Sequence, residues 1–188
     1  MKRTTDEGAP ITRLAGAVGA MLAFGAAVVG PVAAEATKAA PAKVAVFPFE
    51  LIDDSQEGEV NGVRADQTAR LRMITDELIV LMKADGRYVP VDIAPIAADI
   101  ERESPIHKCH SCEDKLTARV GAELAVIGTV QKVSNLILNI NVYVRDVAKE
   151  KFLRVESVDL RGNTDESWVR SLRYLVKNRL FVDKETPK

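Results

Sequence analysis

Residues 121–147 read GAELAVIGTVQKVSNLILNINVYVRDV, and the two halves of this stretch carry different hydropathy patterns. The first half, ELAVIGTVQKV at 123–133, opens with nearly continuous apolar residues. That is the pattern of a central strand covered on both faces. The second half, LILNINVYVRDV at 136–147, alternates. Leu138, Ile140, Val142 and Val144 point one way; Asn139, Asn141, Tyr143 and Arg145 point the other, as on a half-exposed antiparallel strand. KFLRVESVDL at 151–160 continues the meander, and its apolar phase shifts between Val155 and Val158, which predicts a bulge or a strong twist there.

Upstream, KVAVFPFEL at 43–51 is a short apolar run rich in β formers. Pro48 cannot donate to a ladder, so it belongs near the strand end or on an edge. IDDSQEGEVNG at 52–62 reads as an acidic loop. Leu71, Ile74, Leu78, Leu81 and Met82 then fall on one face of a helix that Gly86 stops. RYVPVDI at 87–93 is a second short strand, and APIAADIERE at 94–103 a short helix with Pro95 in its first turn. CEDKLTARVGA at 112–122 is a further helix ending at Gly121. The closing helix spans 163–181, with Asn163 and Glu166 as a capping-box-like start and Trp168, Leu172, Leu175 and Val176 as its buried stripe. The order β-α-β-α-α-β-β-β-α predicts a single α/β domain with a mixed β-sheet packed with helices. Strands linked through helices should be parallel neighbours, and the last ones antiparallel.

The start of the chain bounds location. Lys2, Arg3 and Arg13 precede an uncharged stretch at 14–34, and Val32-Ala33-Ala34 offers small residues for a cut after Ala34. A basic start, an apolar middle and a small-residue cut describe a cleaved secretory signal peptide over 1–34. The stretch is rich in Ala and Gly and makes a weak anchor, so no stable membrane span is expected after cleavage. Residues 35–42 read as a linker, 43–183 as the domain and 184–188 as a tail. The periplasm is the expected location. The whole chain carries a net charge of −1, and that balance gives no reason to expect nucleic acid as a partner.

The chain resembles the amino-terminal domain of the TolB family and related domains of curli-secretion and penicillin-binding-protein-activator lipoproteins. The residues that carry the likeness are VAVFPF at 44–49, YVPVD at 88–92 and the Gly121-Ala122-x-x-x-Val126-x-Gly128-x-Val130 core. It is also similar to a family of uncharacterised secreted proteobacterial proteins, through Cys109-x-x-Cys112, GAELAVIGTVQKVSNLILN and RGNTDESW. The resemblance covers nearly all of 43–182 and implies a TolB amino-terminal-domain-like fold. The lipobox cysteine and the propeller of those relatives have no counterpart in this sequence, so membrane tethering and propeller-borne contacts do not carry over.

HKCHSCEDK at 107–115 holds both cysteines and both histidines of the chain. Covalent haem attachment needs Cys-x-x-Cys-His, and Glu113 stands where that histidine would be. Cys109 and Cys112 ahead of a helix would suit a thiol–disulfide oxidoreductase, but a thioredoxin fold places the motif straight after its first strand. His107, Cys109, His110 and Cys112 are a candidate copper or zinc set, although structural zinc sites bring two separated pairs. A structural disulfide between Cys109 and Cys112 is the reading an oxidising compartment favours.

Other features point to less. Asp53, Ser55, Glu57 and Gly58 follow a calcium-loop spacing, but the twelfth position is Arg64 in place of a bidentate glutamate. Asn139, Asn141, Tyr143 and Arg145 form a polar stripe that is either a solvated sheet face or a partner-binding face. No cofactor and no catalytic set are expected. The function read from the sequence is a non-enzymatic periplasmic binding or interaction module whose partner is an envelope protein. The alternative is a redox or metal-handling accessory of a periplasmic oxidation system, using the Cys109–Cys112 loop.

Overall fold

A computed structural model describes residues 40–182. The signal peptide read at 1–34, residues 35–39 of the linker and the tail at 184–188 lie outside the described residues. One sheet organises the rest. It consists of β1 (Ala42–Val46), β2 (Glu50–Asp53), β3 (Tyr88–Pro90), β4 (Leu124–Lys132), β5 (Leu138–Asp146) and β6 (Lys151–Leu160). The strand order is β3-β1-β4-β5-β6, with β2 also pairing β4. β1 runs parallel to β3 and to β4, β2 runs parallel to β4, and β5 and β6 complete the sheet antiparallel. The fold is a mixed α/β domain, as the element order predicts.

The helices are α1 (Gln56–Asn61), α2 (Ala65–Asp85), α3 (Ala97–Glu103), α4 (Cys112–Arg119) and α5 (Asp165–Leu175), the last continued by a π-helical turn at Val176–Leu180. α2 and α5 cover one face of the sheet. Ile74, Leu78 and Met82 of α2 and Trp168, Leu172 and Leu175 of α5 are fully buried there against Val126, Val130, Ile140 and Val142. A second core lies on the opposite face, where Ile96, Ile100, Ile106 and Leu116 pack on Ala45, Phe47, Ala125 and Ile127.

Several details differ from the sequence reading. The single strand expected over 43–51 is two, because the chain leaves β1 at Phe47-Pro48-Phe49 and re-enters beside β4 as β2. Phe49 lies against β4 at Gly128, where a Cβ would meet the Phe49 ring at 2.5 Å. Residues 56–61 form a helix and not a loop, because Ser55 accepts from the Gly58 amide as an N-cap. The capping box of α5 is made by Thr164 and Ser167. Asn163 instead accepts from the Trp168 indole at 2.9 Å and fixes that ring in the core. The irregularity in β6 falls opposite Val144/Arg145, where Leu153 is passed over in the register. Val155 and Val158 simply face opposite sides of a regular segment.

Candidate functional site

α3 and α4 cover only the part of the second sheet face that lies over β1 and the start of β4. Beyond them the floor is Ile127 and Thr129 of β4, Tyr143 of β5 and Phe152 of β6, and the wall is the segment 106–113. Ile52 of β2 closes the other side, leaving a cleft of about 350 Å³. That volume falls within the range of small-molecule sites.

The wall is fixed at three points. Ile106 is a buried plug in the second core. Glu50, at the start of β2, accepts from the backbone amides of Ile106 at 2.6 Å and His107 at 3.0 Å, and its Oε2 lies 2.6 Å from His107 Nδ1. One carboxylate thus satisfies the turn and sets the plane of the imidazole. At the far end, Cys109 and Cys112 are joined by a disulfide with Cα atoms 5.4 Å apart, and Cys112 is the first residue of α4. The two residues inside the bridge, His110 and Ser111, have φ of 54° and 73°. Left-handed backbone at two successive non-glycine residues is uncommon and is held by its surroundings.

The floor is tied to α4 by a buried cation. Arg145 forks onto Asp114, with Nε to Oδ1 at 2.8 Å and Nη2 to Oδ2 at 2.7 Å. Asp114 holds the guanidinium firmly charged. The same guanidinium lies 5.2 Å from the Phe152 ring centre, and Phe152 in turn meets Tyr143 at 6.0 Å. Arg145 is 8 % exposed, so it flanks the aromatic pair from its place against α4. Of the polar stripe read from the sequence, Tyr143 enters the cleft. Asn141 reaches towards Thr129 at 3.4 Å, and Asn139 donates to Asp159 across the β5–β6 pair at 2.8 Å.

The structure distributes the four Cys/His side chains differently from a common ligand set. His107 turns to Glu50, His110 is exposed, and the donor atoms that converge within 4.8 Å are those of Cys109, Cys112 and Glu113. On the outer side of the disulfide, Arg102, Lys115 and Arg119 line a second, basic hollow of about 340 Å³.

The calcium-like spacing at 53–58 has a different use. Lys132, fully buried, places its ammonium 3.1 Å from Asp53 and 2.8 Å from Glu57. Burial alone would push its pKa down, but Glu57 and Asp53 outweigh it and raise it. Lys132 in turn, with help from Asn135 and Arg64, holds the Glu57 carboxyl below its usual range. The protein's own cation stands between the acidic side chains. Sequence reasoning missed this pairing, and it missed Glu50, Ile52, Ile127 and Phe152 in the cleft. Lys132 closes an otherwise apolar strand and Glu50 follows one, and a charge at the edge of an apolar run is the signal both share.

Residues 42–180 match the family model described as "Protein of unknown function (DUF2380)". No curated protein matches the chain. Among solved structures, lipoprotein GNA1162 from Neisseria meningitidis is 16% identical over 77% of this chain and 100% of its own, with a TM-score of 0.50. LpoB from Escherichia coli is 11% identical over 85% of this chain and 91% of its own, with a TM-score of 0.45. TolB from Acinetobacter baumannii is 12% identical over 77% of this chain and 29% of its own, with a TM-score of 0.42. At these identities the likeness is one of fold. No helix among the described residues is long and apolar enough to cross a membrane.

Proposed function

This chain belongs to the DUF3280 family of proteins of unknown function, and from that premise we propose that it is a non-enzymatic binding module of the cell envelope. In this reading it is exported by a signal peptide over 1–34 and works in the periplasm as one domain over 43–183. It binds an envelope protein through the open half of its second sheet face. The observation that carries the reading is the cleft itself. An aromatic floor of Tyr143 and Phe152 is flanked by the Arg145–Asp114 pair and bordered by a loop that Glu50 and the disulfide hold in place. Preorganised aromatic surface of this kind is what binding sites use for anchors. Phe152, Leu153 and Val155 stand 44%, 43% and 56% exposed beside it. The fold shared with a lipoprotein of Neisseria meningitidis supports an envelope setting.

The test is a photoreactive residue in place of Val155, in cells that export the chain, with one in place of Tyr174 on α5 as control. The reading expects a discrete adduct with an envelope protein from position 155 and none from 174. Adducts from neither position, or from 174 alone, refute it. The mature mass, expected to start at Glu35, is read from the same preparation.

A second reading draws on the basic hollow beside the disulfide. Reduction would free two thiols at the start of α4, whose N-terminus and Lys115 favour a thiolate, while Glu113 lies 3.4 Å from Cys109 Sγ and opposes it. A redox or metal-handling accessory would then use Cys109 and Cys112, with His107 and His110 as neighbours. The double variant Cys109→Ser/Cys112→Ser separates the two. A binding module keeps its adduct at position 155, and a redox accessory loses its activity outright.

A further inference from the structure

The polar groups around the cleft are unequally committed, and the imbalance names a ligand class. Both oxygens of Glu50 are taken by donors from 106–107. Glu113, buried at the inner wall, lies 3.6 Å from the Arg145 guanidinium. Glu50 is therefore spent inside the protein, and the charge of Glu113 is offset by the Arg145 guanidinium that Asp114 also holds. The opposite holds for the donors. Lys108, His110 and Ser111 line the same cleft and are exposed, and their side chains make no hydrogen bond or ion pair among the described residues. Facing these donors is the apolar part of the floor, Ile127, Tyr143 and Phe152.

We propose that the cleft receives an apolar carboxylate, its aromatic or branched body on Tyr143 and Phe152 and its charge at Lys108, His110 and Ser111. This rests on the cleft being the working surface and adds what it recognises. The chemistry is shared by a free hydrophobic acid and by the carboxy-terminal residue of a peptide. An amine or a neutral amide of the same shape lacks the charge that the unspent donors complement. The geometry also explains the disulfide. It places two of the three donors, His110 and Ser111, on a left-handed turn that turns back along the rim.

The experiment is calorimetric titration of the mature, oxidised chain with N-acetyl-phenylalanine, with its carboxamide, and with an acetylated Ala-Ala-Phe peptide bearing a free carboxylate. The acid should bind about tenfold more tightly than the carboxamide, the loss expected for one charge-assisted hydrogen bond. Lys108→Met should bring the acid towards the carboxamide's affinity with the unfolding midpoint unchanged, since that side chain is exposed. Tighter binding of the peptide assigns the ligand to a chain end, and binding of the single acid alone assigns it to a small molecule. Equal binding of acid and carboxamide, or no binding of either, overturns the proposal. If no probe binds while the adduct at position 155 still forms, the ligand class fails and the binding surface stands. If the acid binds and no adduct forms, the cleft is a small-molecule site and the envelope-partner reading fails.

Discussion

The two faces of the sheet are covered to different depths by elements of different kinds. On the first face a 21-residue helix and α5 lay down continuous stripes, and Ile74, Leu78, Met82, Trp168, Leu172 and Leu175 are wholly out of water against β4–β5. On the second face the cover is two short helices and a stapled loop, and Tyr143, Phe152 and Val155 are left partly in solvent. The first face gains its stability from hydrophobic burial. The second holds its shape with polar and covalent ties, Glu50 to 106–107, Arg145 to Asp114 and Cys109 to Cys112. The lesson is a division of labour, in which a deep apolar face pays the entropy of folding and leaves the other free to be shaped for binding.

Substitutions should separate the faces by size of effect. Leu172→Ala opens a cavity in the first core and should cost roughly 3 to 5 kcal/mol in urea unfolding. A loss below about 1 kcal/mol would mean that α5 packs more loosely than described. Lys132→Met removes the buried ammonium from between Asp53 and Glu57, leaves Glu57 with Arg64 and Asn135, and should lower the urea midpoint by less than Leu172→Ala does. The same titration reads it, and a neutral result would show that the two carboxylates are solvated in the native state. Replacing both cysteines by serine should cost about 2 kcal/mol by the chain-entropy account of a four-residue loop. Amide hydrogen exchange should then rise in 106–113 and not in α2, and uniform exchange would contradict the local role given to the bridge.

The smallest effect is in acid. Arg64 draws the Asp66 pKa down from 3.8 to about 2, and Arg87 lowers that of Asp85. Carboxylates lowered on folding stabilise above their ordinary pKa and lose that contribution as pH falls through the folded value. Stability should therefore be flat above about pH 4 and decline towards pH 2, with a shallower slope for Asp66→Asn. Because Arg64 is exposed and Asp66 half-buried, solvent screens the pair and the change of slope should be slight.

The deep face was legible in the sequence because burial there follows periodicity. Leu78 and Met82, or Trp168 and Leu172, repeat at helical spacing, and the β4–β5 pair declares itself by run and alternation. The shallow face follows no period. Glu50 and His107 meet across 57 positions, Lys132 and Glu57 across 75, and Arg145 and Asp114 across 31. Such pairings are set by how β2 and α4 come to lie against the sheet, which spacing along the chain does not encode. Alternation places Tyr143 on the polar side of β5, where it lines the cleft. Arg145 belongs to that side too, but a guanidinium can be drawn under a neighbouring helix by a carboxylate, and alternation alone does not distinguish a buried fork from an exposed charge.

The central claim is that the shallow face binds and the deep face stabilises. Its most direct measurement takes the chain with a photoreactive residue in place of Val155, with and without Phe152→Ser, and records adduct yield and urea midpoint on the same material. Loss of the adduct with the midpoint nearly unmoved is the predicted result. An undiminished adduct, or unfolding on a par with Leu172→Ala, would contradict it.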